Sequence, residues 1–202
     1  MITLFVGLMS VIAHGSPALA GWLEYDRAAL GAGEWWRILT CHVTHWSADH
    51  LLWDVAVFAV LGYISERDHK HFAFCVLGSA VVIPLAVWVA LPEMEFYRGL
   101  SGIDSALFVF LAVTLLRQAL GHGKSRDTLI VAPTVLLLVG FAAKLVFEIA
   151  TGTTVFVDST TANFVPVPLA HAVGGVVGVL CVFPSSRSPS RFTITGSAIT
   201  AS

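Results

Sequence analysis

The sequence predicts an all-α polytopic membrane protein, a bundle of six transmembrane helices, and three observations carry that prediction. The 202 residues are 56% hydrophobic and only 12% charged, where a soluble domain carries about 25% charged residues. Mean hydropathy is +0.83. Six apolar stretches, at approximately 2–22, 48–65, 71–91, 101–118, 128–150 and 166–184, each come near the ~20 residues that a helix needs to cross hydrocarbon.

The first stretch raises the question of a secretory signal, because Ile2 to Ala13 is apolar and Ala18-Leu19-Ala20 resembles a cleavage site. No Lys or Arg precedes it, so the positive segment of a signal peptide is missing, and 2–22 is expected to be one span. Span two opens at His50 and Asp54. Span three contains Pro84, which predicts a kink that a bundle tolerates when a neighbour satisfies the freed carbonyl. Span four opens with Gly99-Leu100-Ser101-Gly102, span five carries Lys144 and Glu148, and span six carries His171, Gly174 and Gly178. No internal repeat or second domain is visible, so residues 1–184 are expected to form one membrane domain. The Ser- and Thr-rich tail 185–202 is expected to be disordered and cytoplasmic.

The net charge of −2 lacks the basic footprint of a nucleic-acid-binding protein. Cys41, Cys75 and Cys181 are odd in number and widely spaced. They form neither a disulfide framework nor a metal-binding pair and are expected to be small core residues.

Loop charges orient the bundle. Arg67, Lys70, Arg117, Lys124, Arg126, Arg187 and Arg191 fall on one side; Arg27, Arg37 and Arg98 fall on the other. The richer side is cytoplasmic by the positive-inside rule, which puts both termini in the cytoplasm and the first, third and fifth loops outside. Spans two, four and six then run inward, so His50, Asp54, Ser101 and His171 all lie near the outer face at one depth.

That shared depth matters because ionisable groups inside a bilayer are costly and are functional candidates by default. A serine hydroxyl is a weak nucleophile until a base within hydrogen-bonding reach takes its proton, and histidine is the usual base. Gly174 and Gly178 make a small face on span six, and Gly102, Ser105 and Ala106 offer a matching one on span four. Such faces let helices approach closely, which would bring His171 to Ser101. The glycines serve plain helix packing equally well. Amide hydrolysis also needs donors for the oxyanion. His50 and Asp54 share a helix face at i, i+4. The backbone N–H groups of Ser101 and Gly102, at a helix start, add candidate donors.

Together, Trp36-Arg37, Thr44-His45-Trp46-Ser47, His50 with Asp54, Gly99-Leu100-Ser101-Gly102 and His171 with Gly174 and Gly178 resemble the rhomboid intramembrane serine proteases, in order and spacing over about residues 1–184. The resemblance implies a six-helix core and a Ser–His dyad, with Ser101 as nucleophile, His171 as general base and His50 in the oxyanion region. It implies a transmembrane or membrane-anchored protein substrate, cleaved within the lipid bilayer near the outer face. It also suggests the inner (cell) membrane of a bacterium. The Tyr97-Arg98-Gly99-Leu100-Ser101-Gly102 form looks like the rhombosortase branch, which processes C-terminal sorting tails. One position departs: the family usually has asparagine where Asp54 stands. A carboxylate would repel an oxyanion, so Asp54 is either protonated or turned toward His50.

Several polar groups invite other readings. Asp104, one turn after Ser101, either supports the dyad or makes a buried polar contact. Lys144 and Glu148 read as an ion pair or as snorkelling groups, with a proton relay as the sharper alternative. His42, His45, Asp49 and His50 match no H-E-x-x-H pattern; packing or loop hydrogen bonds suit His42 and His45 better than a metal, and no metal or cofactor is expected. Trp35, Trp36 and Trp46 suit an interfacial belt, and His69, His71 and His122 a solvated loop. The rival functions are a catalytically inactive rhomboid-like protein that binds transmembrane helices and a small transporter. Both Ser101 and His171 are present, which opposes the first; the absent repeat opposes the second.

Overall fold

A computed structural model describes residues 1–121, 128–155 and 167–183. The predicted tail at 185–202 and His122 lie outside the described residues. In chain order the elements are α1 (Ile2–His14), α2 (Pro17–Leu23), β1 (Tyr25–Asp26), α3 (Arg27–Gly31), α4 (Arg37–Thr40) with a 3₁₀ turn (Cys41–Val43), α5 (Ala48–Asp68), α6 (Phe72–Ala90), β2 (Phe96–Tyr97), α7 (Ser101–Gly121), α8 (Thr128–Thr151) and α9 (Pro168–Val182). Among the described residues, α5, α6, α7 and α8 are long and apolar enough to cross a membrane, while α1 and α9 are shorter apolar helices. The chain is therefore an all-α polytopic membrane protein with six principal helices.

The expected single span 2–22 is two helices. Ser16 adopts an extended backbone and accepts a hydrogen bond from the Leu19 N–H, and Pro17 opens α2. A serine cap followed by proline at the first helical position starts a new helix rather than continuing the old one. The shortened α1 packs against α5. The Glu66 carboxylate, near the far end of α5, accepts from the Ile2 and Thr3 amides at 2.6 and 3.0 Å, satisfying N–H groups that α1 itself leaves without partners.

α7 is the hub. Half of its apolar window is buried inside the protein, against 6% for α8, which places α7 centrally and α8 at the rim, with most of its apolar surface facing outward. The closest packing joins α7 to α9. A Cβ on Gly174 would stand 2.0 Å from the Gly102 carbonyl oxygen, and one on Gly178 2.3 Å from that of Ala106. Only hydrogen side chains permit this approach, so the two small faces meet backbone to backbone.

The first loop is folded rather than slack. β1 and β2 pair antiparallel, Tyr25 opposite Tyr97 and Asp26 opposite Phe96, which ties this loop to the segment leading into α7. Three arginines fasten it. Arg27 donates to the carbonyls of Val87, Trp88 and Leu91 at 3.3, 2.9 and 2.8 Å, closing the C-terminal end of α6. Buried Arg37 donates to Gly21 and Glu24, both at 2.8 Å. Arg98 pairs with Glu24 at 2.6 Å and lies 4.4 Å over the Trp46 ring. Pro84 removes the N–H that would serve the Ala80 carbonyl. A ring nitrogen of His42 lies 3.1 Å from that carbonyl oxygen, so the loop supplies the neighbour that the kink requires.

Candidate active site

Ser101 begins α7 because the chain before it is clamped. Gly99 has φ +122°, a left-handed conformation that favours glycine. Its missing side chain makes room for His50, whose Nε2 a Cβ would approach to 2.8 Å. The Gly99 carbonyl faces His42 Nδ1 at 3.2 Å and its N–H donates to the Cys41 carbonyl at 3.3 Å. Leu100 and Ser101 donate their N–H groups to Asp54 Oδ2 at 2.8 and 3.1 Å. A carboxylate at a helix start satisfies its orphan donors and complements its dipole.

Asp54 is accordingly an acceptor hub, turned toward His50 as one of the two expectations had it. His50 Nε2 and His45 Nε2 approach the same Oδ2 at 3.2 and 3.3 Å. Ser47 caps α5 by accepting the His50 N–H at 3.1 Å, and His50 Nδ1 accepts the Trp46 N–H at 3.4 Å. That bond assigns the remaining N–H of a neutral His50 to Nε2, facing Asp54. This corrects one expectation: the Ser101 N–H, expected to serve an oxyanion, is already held by Asp54. The Gly102 N–H, next in the first turn of α7, is a donor that Asp54 does not take. Burial pushes the His42 and His45 imidazoles below their ordinary range; for His45 the adjacent Asp54 pulls the other way. The two His42 nitrogens face the Gly99 and Ala80 carbonyls, and a neutral ring, with one N–H, donates to one of them.

On the other side of Ser101, α9 brings its histidine. Ser101 Oγ lies 3.0 Å from His171 Nε2. His171 sits one turn before Gly174, so the close α7–α9 approach and the Ser–His contact occur at one level. His171 Nδ1 lies 2.8 Å from Glu148 Oε2 and 3.1 Å from Lys144 Nζ. Lys144 and Glu148 pair with each other at 2.8 Å. The ion pair expected within span five is present, and it reaches further than expected, to the histidine. Asp104 is buried, and among the described residues no hydrogen bond joins it to Ser101 or His171. The third group beside the histidine is Glu148. The sequence places Lys144 and Glu148 near the outer end of span five, at the level expected for His171, and the missed step was to join this charged pair on an otherwise apolar helix to that histidine.

Ser101 and His171 open onto a cavity of about 870 Å³ that is also lined by His50, Trp53, Phe141 and Phe147. The cavity is mostly apolar, with Ser101, His171, His50 and Glu148 among its polar lining groups, the usual character of a site that holds an apolar ligand segment.

Fold and site together define a polytopic membrane protein bearing a serine-hydrolase pair. The family model described as Rhomboid domain matches residues 32–188, and the chain belongs to that family. No curated protein matches it. A hydrogen-bonded Ser–His pair in a rhomboid domain supports serine-protease activity, on substrates that are themselves embedded in the bilayer.

Proposed function

We propose that the protein is an intramembrane serine endopeptidase that cleaves membrane-anchored proteins near the outer membrane face, with Ser101 as nucleophile and His171 as general base. The observation that carries this reading is the 3.0 Å contact between Ser101 Oγ and His171 Nε2 in the wall of a mostly apolar cavity. His171 takes the hydroxyl proton as Ser101 attacks the peptide carbonyl. It then gives that proton to the leaving amine, and water releases the acyl-enzyme. The Gly102 N–H is the backbone candidate for the oxyanion. His50 lines the cavity beside it, fixed by Asp54. The Tyr97–Gly102 string supports a rhombosortase-like branch within the family. Loop charge supports cytoplasmic α5–α6 and α7–α8 connections, as at a bacterial inner membrane.

The test uses purified protein in detergent with transmembrane substrates. Wild-type protein is expected to cleave, and Ser101→Ala and His171→Ala are each expected to lose at least about 10³-fold in rate. Cleavage unchanged in either variant removes that residue from the chemistry. A helix-binding role without catalysis predicts substrate retention with no cleavage by any form.

A further inference from the structure

We propose that Glu148 is a positioning residue for His171, selecting the ring tautomer in which Nε2 can take the Ser101 proton, with Lys144 holding the carboxylate in place. The inference rests on the Ser101–His171 reading above and adds a third member to it.

A neutral imidazole has one N–H and one lone pair. To accept the Ser101 proton, Nε2 must carry the lone pair, so the ring proton must sit on Nδ1. Two groups face Nδ1, and they favour opposite tautomers. The Lys144 ammonium, at 3.1 Å, can only donate; it favours a bare Nδ1 and an Nε2–H aimed at Ser101, which disables the base. The Glu148 carboxylate, at 2.8 Å, can only accept while ionised; it favours Nδ1–H and a free Nε2.

Geometry settles the competition. Glu148 is closer and its side chain is only 1% exposed, while that of Lys144 is 20% exposed, so water competes little for the carboxylate. Lys144 has its acceptors elsewhere: Nζ lies 2.8 Å from Glu148 Oε1 and 2.9 Å from Oε2. The lysine charge therefore stabilises an ionised Glu148, and its approach to Nδ1 follows from sharing that carboxylate. When the Ser101 proton moves to Nε2, His171 becomes an imidazolium whose Nδ1–H still points at Glu148. The carboxylate stabilises that charge without becoming protonated, and the proton later leaves from Nε2 to the departing amine.

Detergent-solubilised protein labelled with ¹⁵N-histidine tests this, with the His171 signals assigned by their loss in His171→Ala. Wild type is expected to show His171 as the Nδ1–H tautomer. Glu148→Gln is expected to populate the Nε2–H form and to lower kcat by about 10²- to 10⁴-fold with KM little changed. Glu148→Asp is expected to restore part of both, and the thermal midpoint of each variant reports folding separately. An Nε2–H tautomer in the wild type overturns the proposal. So does a Glu148→Gln protein that keeps both wild-type tautomer and wild-type kcat. The tautomer is read without turnover, so a wild type that cleaves nothing, yet shows the Glu148-dependent tautomer, sinks the protease reading and leaves the positioning role standing.

Discussion

At the residue scale, Asp54 shows how one oxygen can organise two sides of a site. Its Oδ2 receives two backbone N–H groups from the start of α7 and lies within 3.3 Å of two imidazoles. Removing a buried acceptor leaves the two backbone donors unsatisfied, at about 1–3 kcal/mol apiece. Asp54→Ala is therefore expected to destabilise the protein by about 3–5 kcal/mol and to lower cleavage more than about 100-fold, because the Gly99–Ser101 segment loses its anchor. Asp54→Asn retains one acceptor oxygen and should lose far less of both. Thermal denaturation in detergent, paired with the cleavage assay, separates these outcomes. An alanine variant as stable and active as the asparagine variant would show that the carboxylate is dispensable. The sequence contained both possibilities for Asp54, protonated or turned toward His50. It could not choose between them, since the choice depends on donors from residues 100 and 101, forty-six and forty-seven positions away.

At the element scale, the α7–α9 contact was legible and the α1–α2 break was not. Glycines at 174 and 178 with small residues at 102 and 106 state a close approach in their spacing alone, because nothing but a missing side chain allows it. The break at residues 15–17 was hidden because apolar content runs on through Pro17 to Leu23, and hydropathy is blind to a capping serine. Glu148 was hidden for a related reason: its i, i+4 partner explained it locally, and its second partner lies on another helix. The three glycines of α9 now predict a graded series. Gly174→Ala puts a Cβ 2.0 Å from the Gly102 carbonyl oxygen, beside Ser101, and Gly178→Ala puts one 2.3 Å from that of Ala106. Gly175→Ala meets the Phe141 ring at 3.2 Å, and a side chain can yield where backbone cannot. Gly174→Ala is expected to wedge α9 away at the level of the Ser–His pair and cost about 100-fold or more in cleavage rate. Gly178→Ala, one turn further on, is expected to destabilise by about 1–3 kcal/mol. Gly175→Ala should behave nearly as wild type. Melting temperatures and cleavage rates of the three check the order, and a Gly174→Ala protein as active as Gly175→Ala would contradict the packing.

At the scale of the whole molecule, loop charge makes a testable prediction of which way the bundle faces. The positive-inside rule weighs Lys and Arg in short loops; the six-span reading of the sequence assigns seven to one side and three to the other. The three in the minority are Arg27, Arg37 and Arg98. Each is fastened internally, to the end of α6, to the α2 carbonyls, and to Glu24 with Trp46. Arg27 and Arg37 are structural cations of the folded first loop, and Arg98 is one of the segment leading into α7. The seven-to-three count is thus the whole of the charge argument for the proposed orientation, with the Ser–His end outside. Two single-cysteine proteins read this directly, made after replacing the three native cysteines with alanine or serine and confirming activity. Trp35→Cys lies in the first loop at an exposed position, and Lys70→Cys lies exposed between α5 and α6. In intact cells, a membrane-impermeant maleimide is expected to label the cysteine at 35 and to reach the one at 70 only after permeabilisation. The reverse pattern would turn the bundle over and place cleavage on the cytoplasmic side, whereas equal labelling would mean a mixed topology that loop charge does not control.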